Sequence, residues 1–208
     1  MRAWIAAGFS LALFGCSSVP AGEAASGFVN AQVAAAYIPL EGRKDLILTG
    51  RGAAVAIAPG IAATNAHNAN LIDASTLIGT SANYDLLFFR TRGATVPPLA
   101  APKPNESVIA YGQGKDGALR QARGVVSILA VALPAPCQGC ETPYAFAFRA
   151  DGGEGFSGGP VVDAEDGSVL GIVFGFRDEP QNGRVMYAYD MSHVMAELAR
   201  LKHPQSRS

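Results

Sequence analysis

The feature that most restricts the fold is a series of short apolar segments separated by Gly and Pro. These segments are Leu46–Thr49, Ala53–Ala58, Ala62–Thr64, Leu86–Arg90, Ser107–Tyr111, Gly124–Val131, Tyr144–Arg149, Pro160–Asp163, Val169–Phe174 and Val185–Tyr189. Turn signals such as Ala58-Pro59-Gly60 and Glu165-Asp166-Gly167 lie between them. This spacing predicts an all-β barrel or sandwich.

One segment near the C-terminus has helical periodicity instead. In Met191–Leu201, the side chains of Val194, Leu198 and Leu201 fall on one face, and Asp190 or Ser192 can cap the first turn. We therefore predict a short helix that packs against the last barrel. Helix is expected to be scarce elsewhere.

Composition narrows the function classes. The chain has 208 residues, of which 49% are hydrophobic and 16% charged, so it can bury a core and is not disordered. Its formal net charge is -1, and it contains no run of Lys or Arg. Nucleic acid is therefore not expected as the main partner.

The N-terminus has the features of an export signal. Arg2 supplies a positive charge, and the apolar run Ala3–Phe14 is too short to span a bilayer as a stable helix. Leu13–Cys16 resembles the bacterial lipobox, in which the Cys is lipidated and the chain is cleaved ahead of it. Ordinary signal-peptidase cleavage near Ala24 or Ala25 is the alternative. We expect an exported protein, either lipid-anchored on the periplasmic side of a bacterial membrane or free in the periplasm or medium.

The chain has an odd number of cysteines, three. Lipidation of Cys16 leaves Cys137 and Cys140, in the segment CQGC, to pair as a disulfide. A redox or half-zinc role for CQGC is the alternative, but no second CxxC and no thioredoxin-like context accompany it. The sequence thus predicts a short-range disulfide, with no metal and no other cofactor.

A glycine-rich segment, Asp151–Val162 (DGGEGFSGGPVV), contains the candidate nucleophile. Glycines around Ser157 allow a sharp turn that exposes its hydroxyl, and the amides of Gly155 and Ser157 can then form an oxyanion hole. A serine hydroxyl needs a neighbouring base, and the chain has only three histidines. His67, at a small-residue corner after a predicted strand, is the best placed of them.

The base in turn needs a carboxylate on its other ring nitrogen. Asp85 is preferred because it begins the apolar strand DLLFF, and a carboxylate that enters a core requires a hydrogen-bonding partner. Asp73 is the competing candidate, but its surroundings are those of an exposed turn. The candidate triad is therefore His67, Asp85 and Ser157.

With these motifs the chain resembles trypsin-like, chymotrypsin-fold serine proteases of the bacterial Deg-type branch. The similar segments are Ala63–His67 to the TxAH motif, Asp85–Leu87 to DLAL and Gly155–Pro160 to GxSGGP, with Val108–Gly112 and Gly124–Ser127 similar to family strands. Their order, His then Asp then Ser, is that of chymotrypsin. The resemblance spans roughly Gly50 to Tyr189.

The resemblance implies two packed six-stranded β-barrels with the active site between them. The expected organisation is a signal and lipobox over 1–16, a tether and N-terminal segment over 17–40, a protease domain over 41–202 without a following PDZ domain, and a disordered tail over 203–208. Asp85 follows His67 by 18 residues, fewer than is usual in the family, so the first barrel should be trimmed. Phe156 replaces the acid that an N-terminal amine pairs with in trypsins, so no zymogen switch is expected.

Indications of specificity conflict. Asp151 lies six residues before Ser157, as the acid at the base of the trypsin pocket does. Phe176 and Val185, however, lie near positions where trypsins carry glycine, on pocket strands that also include Phe174. We therefore expect cleavage of polypeptides after small aliphatic residues, with Asp151 as a turn-capping carboxylate.

Two alternatives to a peptidase remain. The segment Gly155–Gly159 also matches the GxSxG elbow of α/β-hydrolase esterases, but that motif requires a strand leading into the serine and a helix after it. A protease fold can also survive in an inactive lipoprotein that acts as a binding module. Reaction with a serine-directed fluorophosphonate separates the inactive module from the enzyme.

Overall fold

The computed structural model describes residues 21–42, 50–135, 141–181 and 183–202. The first half contains, in chain order, β1 (Glu23–Ala24), α1 (Ala31–Ala36), β2 (Tyr37–Glu41), β3 (Arg51–Ala58), β4 (Ile61–Thr64), β5 (Leu77–Thr80) and β6 (Leu87–Arg90). Two short 3-10 helices, Ala66–Leu71 and Ala74–Thr76, connect β4 to β5. The second half contains β7 (Ser107–Gln113), β8 (Leu119–Ala132), β9 (Tyr144–Arg149), β10 (Pro160–Asp163), β11 (Val169–Glu179), β12 (Gly183–Asp190) and α2 (Met191–Lys202).

The second half forms a closed barrel. Its strands pair antiparallel in the order β8-β7-β10-β11-β12-β9, and β9 pairs back with β8 to close six strands, while β1 adds to the outside of β8. Phe146, Phe148, Phe156 and Met186 fill the interior and are fully buried. Burying such a side chain stabilises the fold by about 1.5–3 kcal/mol. The barrel is thus a rigid support for the loop that precedes β10.

The first half is an antiparallel sheet in the order β2-β3-β4-β6-β5, five strands within the described residues. Its fully buried strand β3 pairs with β2 on one side and β4 on the other. Gln113, at the end of β7 in the barrel, donates through Nε2 to the carbonyls of Leu40 and Gly52 in this sheet. The two halves therefore meet through hydrogen bonds as well as through apolar packing.

The structure confirms the predicted fold class, which is mostly β with a short C-terminal helix. Helix α2 begins and ends within one residue of its prediction, and Asp190 caps it by accepting from the amides of Ser192 at 2.8 Å and His193 at 3.1 Å. The described part of the first half has five strands, where six were expected. The predicted strand Leu46–Thr49 lies outside the described residues.

Four elements have no counterpart among the predicted segments, and each is short. They are β1, α1, β2 and β5. Pro39 lies within β2, which is an edge strand where the missing amide costs no ladder hydrogen bond. The six-residue helix α1 is capped by Asn30, whose Oδ1 accepts from the Val33 amide at 2.9 Å. The region expected as a tether and N-terminal segment, residues 17–40, includes β1, which pairs with β8.

Candidate active site

Two consecutive tight turns present Ser157. The Phe156 amide donates to the Gly153 carbonyl at 3.1 Å, and Gly155 has a φ of 87°. The Gly159 amide then donates to the Phe156 carbonyl at 2.9 Å, and Gly158 has a φ of 82°. A positive φ at the third residue is the signature of a type II turn and favours glycine. Ser157 therefore lies at the second residue of the second turn, and it lines a cleft at the surface.

The glycines of this loop are also required by close packing. A Cβ on Gly155 would lie 2.1 Å from the Gln113 carbonyl oxygen, and one on Gly158 would lie 2.0 Å from that of Ala53. Both contacts are with backbone atoms, which cannot move aside as a flexible side chain could. Close backbone packing, within the barrel at Gly155 and against the first sheet at Gly158, therefore requires glycine as well as turn geometry does.

The carbonyl of Ser157 attaches the loop to the first sheet. It accepts from the Ala53 amide at 2.9 Å and from Asn68 Nδ2 at 3.1 Å. Asn68 Nδ2 also donates to Thr64 Oγ1 at 3.0 Å, and that hydroxyl donates to the Ala53 carbonyl at 2.7 Å. Because Asn68 directly follows His67, the same 3-10 turn holds the backbone of Ser157 and the candidate base.

His67 and Asp85 form a paired site. His67 Nδ1 lies 2.6 Å from Asp85 Oδ2, and the His67 backbone amide donates to Asp85 Oδ1 at 3.0 Å. Both carboxylate oxygens are therefore used by one residue. This arrangement places the ring proton on Nδ1 and leaves Nε2 as the proton acceptor.

The ionisation of this pair is shifted in opposite directions. The hydrogen bond that His67 donates to Asp85 raises the pKa of His67, partial burial lowers it, and the charge of Asp85 raises it further, so that the pKa lies above its ordinary value. Partial burial raises the pKa of Asp85, but the hydrogen bond and charge of His67 and the amides of His67 and Ala66 outweigh it, so that the pKa lies below its ordinary value. The carboxylate therefore stays ionised while the imidazole titrates.

The backbone of Asp85 is fixed from two further sides. Its carbonyl accepts from Asn65 Nδ2 at 3.0 Å, and its amide donates to the Tyr189 hydroxyl at 3.3 Å. Burial raises the pKa of Tyr189 to about 12, so this hydroxyl stays neutral. The competing Asp73 instead caps the second 3-10 helix, accepting from the Ser75 amide at 2.9 Å. The structure thus pairs His67 with Asp85.

A cleft of about 560 Å³ opens beside these residues. It is lined by Gly50, Arg51, His67, Asn68, Gln113, Gly114, Lys115, Glu154, Gly155 and Ser157. His67, Gly155 and Ser157 thus share one cavity. The amides of Gly155 and Ser157 and the Ser157 hydroxyl make no hydrogen bond within the described part of the chain. They are available to a ligand in the cleft.

The residues predicted to shape the specificity pocket lie elsewhere, and none of them lines this cleft. Strand β11 flanks the serine loop on the side opposite β7, where the Gly158 amide donates to the Val173 carbonyl at 2.8 Å. On β11, the ring of Phe174 stacks on Tyr189 at 4.2 Å between centroids, and Phe176 is 40% exposed. Val185 on β12 is buried.

Asp151 is exposed near Arg184, whose guanidinium covers the ring of Phe176 at 4.4 Å and donates to the Gly152 carbonyl at 2.8 Å. The expected capping of turn amides by the Asp151 carboxylate is not seen among the described residues. Its backbone carbonyl instead accepts from the Gly22 amide at 2.6 Å.

Several predicted features fall outside the described residues. Cys16, Cys137, Cys140 and the tail 203–208 are among them. Within the described ranges, no group of three or more His, Cys, Asp or Glu side chains could hold a metal ion. No helix in that part of the chain is long and apolar enough to cross a membrane.

The sequence prediction missed the polar residues that join the halves around the site. Asn68 and Gln113 are almost fully buried, and the hydroxyl of Tyr189 reaches Asp85 across 104 residues of sequence. The position of Asn68 next to His67 was the one local signal. Nothing near Gln113 or Tyr189 in the sequence indicates contacts with the other half.

Comparison with known proteins gives one family. The model for the trypsin-like peptidase domain matches residues 25–172. No curated protein sequence matches the chain. The fold, with its closed six-stranded barrel, is shared with solved proteases at low sequence identity.

Three of these structures illustrate the likeness. The active form of the Rv3671c protease from M. tuberculosis has a TM-score of 0.65 at 20% identity and covers 95% of this chain and 94% of its own. The MamO protease domain from Magnetospirillum magneticum has a TM-score of 0.60 at 16% identity, and the match covers 80% of this chain and 97% of that domain. The HtrA-type protease AlgW with a tripeptide has a TM-score of 0.67 at 17% identity, and the match covers 85% of this chain and 63% of the AlgW chain.

The predicted resemblance to trypsin-like serine proteases is therefore confirmed, and solved structures of similar fold include an HtrA-type protease. The α/β-hydrolase alternative is wrong, because Ser157 leads into the antiparallel strand β10 instead of a helix. The chain belongs to the trypsin-like peptidase family.

Proposed function

We propose that this protein is a serine endopeptidase that hydrolyses peptide bonds with Ser157 as nucleophile, His67 as general base and Asp85 as the acid that orients it. The observation that carries the proposal is the 2.6 Å pair of His67 Nδ1 and Asp85 Oδ2 in the cleft that also contains Ser157. Shifted pKa values alone would not identify a catalytic site, because a purely structural ion pair shifts the pKa values of its members as well. The shared cleft, which a partly exposed serine also lines, makes a catalytic role the better explanation.

In the proposed reaction, the Ser157 hydroxyl oxygen attacks the carbonyl carbon of the scissile bond, and its proton passes to His67 Nε2. The amides of Gly155 and Ser157 donate to the oxyanion that forms, and each lowers the activation free energy by about 2.7–4 kcal/mol. His67 then protonates the leaving amine, and an acyl-enzyme on Ser157 remains. Water, deprotonated by the same imidazole, then attacks the acyl carbon. The bond to Ser157 Oγ breaks, His67 returns the proton to that oxygen, and the carboxylic acid product leaves.

The triad is tested by single substitutions. Ser157→Ala, His67→Ala and Asp85→Asn should each abolish most peptidase activity, because the three side chains act as a unit, while leaving the fold intact. Asp73→Asn is the matched control, since Asp73 caps a neighbouring turn and should be dispensable for activity. Purified proteins are compared on a peptide library. Full activity of Asp85→Asn, with loss in Asp73→Asn, would reassign the acid.

We also propose a preference for small aliphatic residues, such as Val or Ala, before the cleaved bond. The support is that Phe176 and Val185 lie near positions where trypsins carry glycine, where their side chains would hinder a long cationic residue, and that the exposed Asp151 lies near the guanidinium of Arg184. The library is read for its preferred residue at this position. Preference for Arg or Lys, removed by Asp151→Ser, would refute the proposal.

For the N-terminus, we propose export with lipidation of Cys16, which leaves Cys137 and Cys140 to form a disulfide. The support is the lipobox-like stretch Leu13–Cys16 and the odd cysteine count. One acyl chain binds a membrane only marginally, so stable anchoring requires several chains on the mature N-terminus. Mass spectrometry of that terminus in the native host is the test. A free α-amine on Ala25 or Ser26 would contradict lipidation.

A further inference from the structure

The turn that carries Asp85 is held from outside the first sheet. Ser81 Oγ accepts from the amides of Asn83 at 3.0 Å and Tyr84 at 2.9 Å, and the Ser81 amide donates to the Leu86 carbonyl at 2.9 Å. These bonds close a short loop, Ser81–Leu86, with Asp85 inside it. The conformation of the loop therefore depends on where the Ser81 hydroxyl is fixed.

That hydroxyl is fixed by the C-terminal helix. Ser81 Oγ donates to Glu197 Oε2 at 2.6 Å, a contact across 116 residues of sequence. Glu197 is 3% exposed, and its other carboxylate oxygen accepts from Arg200 at 2.5 Å. Arg200 also pairs with Glu141, at 2.9 Å. Ser81 thus connects a buried carboxylate on α2 to the backbone of the loop.

A carboxylate at this position needs an explanation. Burying a charged group is costly, and well-packed apolar side chains usually stabilise a fold equally well or better. The loop follows β5, which is the last strand of its sheet among the described residues, so no further strand lies outside it. Helix α2 covers this edge, where Leu201 packs 3.2 Å from the position of a Cβ on Gly79.

We propose that Glu197 is a positioning residue for Asp85, acting through Ser81 to hold the loop in the conformation that pairs Asp85 with His67. This inference rests on the proposed function. The spacing of 18 residues between His67 and Asp85 leaves little chain to shape the loop from within, and α2 supplies the missing support. The C-terminal helix is thereby part of the catalytic apparatus as well as of the fold.

The experiment compares Glu197→Gln and Ser81→Ala with two controls in the full chain. Glu141→Gln removes the exposed carboxylate from the same arginine but does not touch Ser81. Ser81→Thr keeps the hydroxyl. A displacement of a catalytic group by about 1 Å costs on the order of 100-fold in rate. We expect kcat to fall roughly 10- to 100-fold with KM nearly unchanged in Glu197→Gln and Ser81→Ala, and near-wild-type values in both controls.

The titration of His67, followed by NMR of its ring, provides a readout that does not need activity. We expect its pKa to fall in Glu197→Gln and Ser81→Ala and to stay unchanged in the controls. A lowered melting temperature with unchanged kcat and His67 titration would overturn the proposal and leave Glu197 a structural residue. If Glu197→Gln does not fold, Ser81→Ala decides. An inactive wild type would refute the proposed function, while the titration would still decide the positioning role.

Discussion

At the scale of single residues, both carboxylate oxygens of Asp85 are bonded to His67. One oxygen of the carboxylate holds the ring and the other accepts from the backbone amide of the same histidine. The ring therefore has one preferred orientation and one preferred tautomer before any substrate arrives. This preorganisation is what a general base requires, because reorientation of the imidazole would otherwise be paid during the reaction.

The pH dependence follows from these contacts. Because Asp85 raises the pKa of His67 above its ordinary value of 6.5, the neutral base forms only above that pH, and activity should rise with a midpoint above 6.5. NMR titration of His67 in Ser157→Ala checks the value. Asp85→Asn should move the pKa downward. A midpoint at or below 6.5 in the otherwise native site would contradict the pairing.

The contribution of His67 to the stability of the fold falls as the pH rises, whereas activity should increase. A raised His67 pKa stabilises the fold below about 6.5 and loses that effect as the pH rises through the folded-state pKa. A lowered Asp85 pKa stabilises it above about 3.8 and loses that effect as the pH falls through its folded-state pKa. The pair therefore contributes most to stability between those values, where His67 is mostly protonated and activity should be low.

The candidate triad could be predicted because each residue has a local sequence signal. Ser157 stands among glycines, and Asp85 begins an apolar strand whereas Asp73 does not. The supporting residues have no such signal. Glu197 reads as one charge on an amphipathic helix, and only the packing of that helix against the edge of the first sheet shows that it is buried.

At the scale of elements, the short strand β1 and the two residues before it, Ala21 and Gly22, make more contact with the barrel and the serine loop than a tether would. The Gly22 amide donates to the Asp151 carbonyl at 2.6 Å, and Ala21 packs against Gly153. Gly22 also lies against the ring of Phe156, which is fully buried. The Gly22–Asp151 hydrogen bond and the packing of Gly22 on the Phe156 ring thus hold the serine loop in place. Phe156 is the residue that replaces an acid of the trypsins. The small and polar residues of this N-terminal segment do not indicate the contact in the sequence.

Gly22→Ala tests the contribution of β1. The new Cβ would lie 2.6 Å from the Phe156 ring, and Gly22 has a φ of 71°, which costs a non-glycine residue about 1–2 kcal/mol. We expect at least that loss of unfolding free energy in urea. Gly27→Ala is the control, because nothing lies within 4 Å of its Cβ position. Equal stability of the two variants would show that β1 does not pack as described.

At the scale of the whole molecule, the proposed site lies where the two halves meet. The first sheet supplies His67 and Asp85, and the barrel supplies the Ser157 loop through two turns and a strand. The hydrogen bonds of Asn68 and Gln113 cross this boundary beside the cleft. The general architecture could be predicted from strand spacing and motif order. Two features could not be predicted from local sequence patterns, because they depend on long-range packing. They are the five-strand order of the described part of the first sheet and the contact of α2 with the Asp85 loop.

The central claim is that Ser157 is a nucleophile activated by His67. Its most direct measurement is the rate of covalent labelling by a fluorophosphonate, with the modified residue identified by mass spectrometry. We predict labelling of Ser157 alone, abolished in Ser157→Ala, strongly slowed in His67→Ala and unchanged in Asp73→Asn. Labelling of another serine, or no labelling of the folded wild-type protein, would contradict the account and favour a protease fold that serves as a binding module.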